Sequence, residues 1–179
     1  MLIYSHPDCI NHAVPEGHPE RSDRLAFLLA HLEQTGFTHD HPVLEASPIG
    51  DELVRQAHHP ELLRRLRQSN PDEGLTALDP DTWMGPTSMA AALQAAGSVW
   101  QGVNDVVSGD EAQVFCAVRP PGHHAEFDSP MGFCLLNSVA IAAINALSLA
   151  GIDRVAILDF DVHHGNGTVD LCQKHPEIL

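Results

Sequence analysis

Basic residues are scarce in this sequence. Nine lysines and arginines stand against 24 aspartates and glutamates, which gives a formal net charge of −15 at pH 7. Because this charge repels phosphate backbones, direct binding to nucleic acid is not expected, and cationic ligands are favoured. The chain also lacks a run of about eighteen apolar residues and a basic-then-apolar leader after Met1. We therefore expect a cytoplasmic protein without a membrane partner.

Cysteine and tyrosine are also rare. The four cysteines are Cys9, Cys116, Cys134 and Cys172, and they form no C-x-x-C pair. Their spacing indicates neither a disulfide framework nor a cysteine-type zinc site. Tyr4 is the only tyrosine. Histidine, by contrast, occurs 13 times, so the positions of the histidines relative to each other carry the information.

Alternating helix and strand patterns predict an α/β domain. The predicted helices are Leu25–Leu32, Asp51–Ala57 with a start at Ser47-Pro48, Glu61–Gln68, Ser88–Val107 and the apolar run from Asn137 to Gly151, and the predicted strands are Val114–Val118 and Val155–Phe160. The segment His6–Glu20 has no period and predicts a loop. Strand, loop, helix and strand in this order indicate a parallel sheet with a right-handed crossover.

Two polar clusters directly follow the two predicted strands, where open α/β sheets place their ligands. The first is the run from Arg119 to Glu126, and the second is the run from Asp159 to Gly167. In an extended segment, Asp159, Asp161 and His163 would share one face. Carboxylate oxygen and imidazole nitrogen suit Zn²⁺, and a catalytic zinc usually takes three protein ligands. The spacing offers two of them.

Each cluster alone has an ordinary structural interpretation. A strand can end in a few satisfied polar residues, and the tandem pair His123 and His124 can be structural. The two clusters occur together at the ends of consecutive strands, with glycines on both sides. This joint occurrence favours a functional site.

Two segments of the sequence carry a family resemblance. RPPGHHAEFDSPMGFCLLNSVAIAA and VAILDFDVHHGNGT resemble the signature segments of histone deacetylases, and weaker similarity upstream extends it over most of the chain. Asn166 stands where class I enzymes have aspartate, so the chain is most similar to the class II branch. The resemblance implies a three-layer αβα domain of the arginase/deacetylase type with a mainly parallel sheet. Residues 1–179 would be the amino-terminal portion of one such domain.

The resemblance also implies roles at the reacting centre. Asp161 and His163 would bind Zn²⁺. His124 would act as general base toward the attacking water and then as acid toward the leaving amine. His123 would stabilise charge electrostatically.

Further roles follow from the same resemblance. Asp159 would accept a hydrogen bond from His123, and Asn166 would stand in the equivalent place behind His124. Phe133 would line the channel for an acyl-lysine stem, with Gly132 leaving room beside it. Backbone carbonyls of the Asp159–His163 segment would hold a monovalent cation such as K⁺.

Two parts of the family's site have no evident counterpart in this sequence. The third zinc ligand is an aspartate far downstream, and the oxyanion donor is a tyrosine or histidine near the far end of the family's domain. Tyr4 lies in the opening segment, and Asp170 and Glu177 follow the second cluster too closely. We therefore expect a truncated domain that binds zinc weakly and has little deacetylase activity.

Several alternatives stay open on the sequence alone. N-acetyl-lysine in a peptide or protein and acetylated polyamines both fit the acidic balance. A non-catalytic fragment that binds acetylated or cationic partners is a second possibility. A dinuclear manganese ureohydrolase is disfavoured, because Gly165 stands where that family's D-x-H-x-D pattern needs a carboxylate. Self-association into a homo-oligomer is also left open.

Overall fold

A computed structural model describes all residues from 1 to 179. The strands are β1 (Leu2–Tyr4), β2 (Val43–Leu44), β3 (Thr76–Ala77), β4 (Trp83–Met84) and β5 (Val114–Cys116). The helices are α1 (Pro7–Asn11), α2 (Ser22–Gln34), α3 (Phe37–Asp40), α4 (Asp51–Ala57), α5 (Pro60–Ser69), α6 (Ser88–Ser108), α7 (Ser138–Ala146) and α8 (Asn166–Cys172).

The central sheet has three parallel strands in the order β2-β1-β5, so the opening segment of the chain forms its middle strand. Strands β3 and β4 form a separate antiparallel pair. The largest buried core joins side chains of α4, α5, α6 and α7 around Leu62, Met84 and Ile141. The predicted α/β class with a parallel sheet is confirmed. No helix is long and apolar enough to cross a bilayer.

A buried ion pair connects the segment before α2 to the segment after β5. Glu20 and Arg119 are 1% and 4% exposed. The Arg119 guanidinium donates to both carboxylate oxygens of Glu20, with Nη2 at 2.8 Å from Oε2. It also donates to the backbone carbonyl oxygens of Cys9, Ile10 and His12. This arginine therefore fixes the start of the first polar cluster.

Two local predictions are wrong at the level of single turns. The segment His6–Glu20 is not entirely loop, because α1 begins at Pro7 with the His6 ring accepting a hydrogen bond from the Asp8 amide. Helix α4 begins after Gly50 rather than at Ser47-Pro48. The Ile49 amide donates to the Leu93 carbonyl of α6 instead, so this segment packs against a neighbouring helix.

The predicted strand Val155–Phe160 is not part of the sheet. Its only ladder contacts are with the last residues of the chain, where Val155 bridges Ile178 in parallel and the Ile157 amide donates to the Leu179 carbonyl. Leu158 and Phe160 are 88% and 92% exposed. β-Branched composition favours an extended backbone, but a strand also needs a hydrogen-bonding neighbour along its length.

Candidate active site

The two histidines after β5 are adjacent rings with different partners. The ring centroids of His123 and His124 are 4.0 Å apart. His123 Nδ1 donates to the Asp159 carboxylate at 2.9 Å, and His124 Nδ1 donates to Asn166 Oδ1 at 2.7 Å. Each ring thus carries a proton on Nδ1, and Nε2 is free of these partners. Both pairings expected from the sequence are present.

Asp161 and His163 lie on the segment that faces these rings. Asp161 Oδ1 lies 3.0 Å from His163 Nδ1 and accepts a hydrogen bond from the His163 amide at 2.8 Å. Two donors on one tetrahedral zinc ion would be about 3.3 Å apart. The pair therefore fits two positions of a zinc site. No group of three or more His, Cys, Asp or Glu side chains is arranged to hold a metal ion.

Both clusters line one cavity of about 540 Å³. Its walls include His123, His124, Gly132, Phe133, Asp161 and His163. The His124 and His163 ring centroids are 6.1 Å apart. All eight predicted site residues therefore lie on this cavity or, for Asp159 and Asn166, directly behind it. Their assigned chemical roles stay predictions.

The loop at Gly132 and Phe133 shapes the cavity wall. Both residues have a positive φ, 56° at Gly132 and 70° at Phe133. A Cβ atom on Gly132 would lie 2.5 Å from His124 Cδ2, so only glycine leaves the imidazole in place. The Phe133 amide donates a hydrogen bond to Thr82 Oγ1 at 3.1 Å. The rings of Phe133 and His18 pack edge to face, with their centroids 4.6 Å apart.

Sequence reasoning assigned no role to several residues that support this loop. Thr82 is fully buried, and His18 Nε2 lies 3.1 Å from the Asp81 carbonyl. Their only signal in the sequence was the weak upstream similarity to the deacetylase pattern, because these residues lie about 50 positions or more before Phe133. Glu20, Arg24 and Asp81 add charged groups to the cavity wall.

The two aspartates of the second cluster keep lowered pKa values. Partial burial alone would raise the pKa of Asp159, but hydrogen bonds from His123 and from the Asp161 amide outweigh it. The pKa of Asp161 is lowered by hydrogen bonds from the His163 amide and then the His163 ring. Both carboxyl groups are therefore ionised at neutral pH.

His58 is a buried histidine behind the site. Its Nδ1 donates to the Glu126 carbonyl at 2.9 Å, and its Nε2 accepts a hydrogen bond from the Asn137 amide at 3.0 Å. Burial lowers the pKa of His58 from 6.5 to about 4, so the ring stays neutral. The neutral ring can make both hydrogen bonds at once, and it joins the loop after the tandem histidines to the start of α7.

We expect the chain to lose stability as the pH falls from 6.5 to 4. In this window the unfolded chain protonates His58, whereas the folded chain does not, so each proton favours unfolding. Burial also lowers the pKa of His12 to about 4. Each histidine would remove ~3 kcal/mol of unfolding free energy across the window. Urea unfolding at several pH values measures the loss.

The variant His58→Gln separates this effect from general acid sensitivity. It should remove about half of the pH dependence, because His12 retains its share. The exposed variant His39→Ala should leave the pH dependence unchanged. An unfolding free energy that stays constant between pH 6.5 and 4 in the unmodified chain would contradict the prediction.

Comparison with known proteins identifies the family of the chain. The histone deacetylase domain matches residues 18–179. An uncharacterized protein of Synechocystis sp. is 40% identical over 181 residues, covering 99% of this chain and 59% of that protein. The histone deacetylase-like amidohydrolase of Pseudomonas aeruginosa is 34% identical over 163 residues, covering 91% of this chain and 43% of that protein.

A solved structure matches over the whole chain. The crystal structure of the HDA15 HD domain has a TM-score of 0.93 at 33% identity, covering 99% of this chain and 51% of that one. Fold and site together define an α/β domain with a histidine pair beyond the ends of its parallel strands. The chain belongs to the histone deacetylase family. It spans 43% to 59% of the length of these three proteins.

Proposed function

We propose that this chain contributes the histidine pair and two zinc ligands to a deacetylase that hydrolyses the acetyl amide of N-acetyl-lysine or of an acetylated polyamine. One observation supports the proposal above the others. The tandem histidines and the Asp161–His163 pair lie on the walls of the same cavity. A hydrolytic site needs a base, a charge stabiliser and an electrophile within reach of one substrate bond.

In this proposal, His124 moves the proton. Its Nδ1 hydrogen is bonded to Asn166, so Nε2 is the nitrogen that can take a proton from the attacking water. The same nitrogen would then return that proton to the departing amine. A zinc ion held by Asp161 and His163 would polarise the amide carbonyl and lower the pKa of a water molecule.

His123 is suited to a different task. Its Nδ1 donates a hydrogen bond to the carboxylate of Asp159, which fixes the orientation of the ring. A positively charged ring beside the reacting carbonyl would stabilise the negative charge that develops there. The ring of Phe133, which packs against His18, supplies a wall of the kind that an aliphatic amine stem can contact.

The charge of the chain supports an amine substrate. A net charge of −15 favours ligands that carry positive charge. Both acetyl-lysine peptides and acetylpolyamines fit this description. Cytoplasmic location, a backbone site for K⁺ near Asp159 and the absence of nucleic-acid partners belong to the same proposal.

The ureohydrolase alternative has a steric objection. That pattern needs a carboxylate at the position of Gly165, where a Cβ atom would lie 2.6 Å from Asp159 Oδ2 and would require the Asp159 carboxylate to move from its hydrogen bond with His123. The alternative of a non-catalytic fragment that binds acetylated or cationic partners is distinguished from a deacetylase by an assay of acetyl-amide hydrolysis.

We expect residues 1–179 to bind zinc weakly, because Asp161 and His163 supply two protein ligands where a catalytic site usually has three. The variant His163→Ala should weaken binding by a further factor of ten or more, as roughly expected for loss of one of two ligands. Calorimetric titration with Zn²⁺ and elemental analysis measure both effects.

The matched control is His39→Ala, which removes an exposed histidine that is far from His163 in the sequence. It should leave zinc affinity unchanged. Tight one-to-one binding of zinc by the unmodified chain, together with rapid hydrolysis of acetyl-lysine peptide, would overturn the expectation of weak zinc binding. Tight zinc binding that persists in His163→Ala would remove that residue from the ligand set.

A further inference from the structure

Glu126 lies behind Asn166, on the opposite side from His124. The Asn166 amide group donates from Nδ2 to Glu126 Oε1 at 2.8 Å and contacts Met131 Sδ at 3.3 Å. Its Oδ1 accepts the hydrogen bond from His124 Nδ1 at 2.7 Å. The three residues therefore form one chain of hydrogen bonds that ends at the proposed base.

The direction of these hydrogen bonds is set by Glu126 and Met131, at the end farthest from His124. An asparagine amide has nearly the same shape when its oxygen and nitrogen are exchanged, so Asn166 alone could present either atom to His124. A carboxylate at neutral pH only accepts hydrogen bonds, and a thioether accepts weakly. Glu126 and Met131 thus both require the NH₂ group, and the oxygen must face His124.

We propose that Glu126 is a positioning residue that fixes the tautomer of His124 through Asn166. With the amide oxygen in place, the His124 proton stays on Nδ1 and Nε2 is free to act as base. With the amide reversed, Nδ1 would have to accept, and the proton would move to Nε2, which blocks that nitrogen as a base. The catalytic meaning of this role rests on the proposed deacetylase function.

The backbone of Glu126 is held in place by two hydrogen bonds. The Glu126 amide donates to the Ser129 carbonyl at 2.9 Å, and the Glu126 carbonyl accepts from the buried His58 ring at 2.9 Å. The N–H and the C=O of Glu126 are therefore both hydrogen-bonded, so the position of its Cα atom is fixed. His123 needs no such support, because Asp159 is a carboxylate and can only accept.

This arrangement explains why Asn166 and Glu126 belong together. If residue 166 were an aspartate, it would accept from His124 in either orientation, and Glu126 would add a second carboxylate within hydrogen-bonding distance. Two close carboxylates repel each other. A neutral amide between a carboxylate and an imidazole instead satisfies all three groups.

The tautomer of His124 can be measured by ¹⁵N NMR on the full chain labelled at histidine, at about pH 8, where neutral rings dominate. The unmodified chain should show His124 protonated on Nδ1. Glu126→Gln keeps the shape but can donate as well as accept, so it should give a mixture of tautomers at His124. His123 should be unchanged in the same spectra and serves as an internal reference.

The double variant Asn166→Asp with Glu126→Gln is the decisive comparison. The aspartate accepts from His124 without help, so a single Nδ1–H tautomer should return. Asp128→Asn removes an exposed carboxylate from the same loop and should leave both histidines unchanged. A pure Nδ1–H tautomer in folded Glu126→Gln and in Glu126→Ala would overturn the proposal.

Hydrolysis provides a second readout in the protein expressed from its own gene. Glu126→Gln should lower kcat for acetyl-lysine peptide by about tenfold or more with little change in KM, and the double variant should recover most of it. Tautomer mixing without hydrolysis in any variant would leave the role of Glu126 intact and remove the proposed function. Hydrolysis by the unmodified protein, together with a single His124 tautomer in Glu126→Gln, would support the proposed function and remove the role of Glu126.

Discussion

Replacing His124 with alanine should lower hydrolysis of an acetyl amide by a factor of about 10² to 10⁴. The variant removes the imidazole whose Nδ1 is bonded to the Asn166 amide, and with it the proposed proton carrier for both steps. The assay uses the protein expressed from its own gene, with acetyl-lysine peptide and an acetylpolyamine as substrates. The loss should lie in kcat for whichever substrate is hydrolysed.

The control for this experiment is His31→Ala, which removes an exposed histidine on α2. It should hydrolyse both substrates at the rate of the unmodified protein. Undiminished activity in His124→Ala would take His124 out of the role of base. Absence of hydrolysis from the unmodified protein, together with retained binding of acetylated or cationic ligands, would favour the non-catalytic alternative.

Removing one partner of the buried ion pair should destabilise the chain by about 3–5 kcal/mol. Glu20→Ala leaves the Arg119 guanidinium buried without its carboxylate, and Arg119→Ala leaves the carboxylate and three backbone carbonyls without their donor. Because a domain of this size has a total unfolding free energy of only about 5–15 kcal/mol, either change brings the chain close to unfolding. Urea titration followed by circular dichroism measures the effect.

Two further variants make this result specific to burial. Arg67→Ala breaks an ion pair with Asp51 at the surface, where the Arg67 side chain is 47% exposed, and should cost at most about 1 kcal/mol. The double variant Glu20→Leu with Arg119→Met replaces both charges with apolar groups and should cost less than either alanine variant. Equal destabilisation by Arg67→Ala and Arg119→Ala would contradict the assignment.

The fold could be predicted where a local pattern decides it. The alanine-rich run forms α6, the leucine spacing forms α2, and Asn137 begins α7 by accepting a hydrogen bond from the Ala140 amide. The strand predicted at Val155–Phe160 does not join the sheet. The composition of a segment does not show whether a neighbouring strand will form hydrogen bonds with it. Likewise, no pattern shows that the three residues of β1 occupy the middle of the sheet.

The candidate site could be predicted to the extent that its residues are neighbours in sequence. Alternation along an extended segment placed Asp161 and His163 together. The two clusters do lie on one cavity, as predicted, but the second cluster does not follow a strand of the sheet. The supporting residues escaped because their partners are distant. His58 lies 68 positions before Glu126, and Glu20 lies 99 positions before Arg119. Only a folded chain brings such pairs into contact.

The extended segment from Leu158 to His163 has two sides of opposite character. Its odd-numbered positions carry the proposed zinc donors and the His123 partner, whereas its even-numbered positions, Leu158, Phe160 and Val162, are each about nine-tenths exposed. Contiguous apolar surface of this kind promotes association between molecules. Two copies that meet through these side chains would constrain the backbone that carries the donors. Protein concentration is therefore a variable to hold fixed whenever metal uptake is compared between variants.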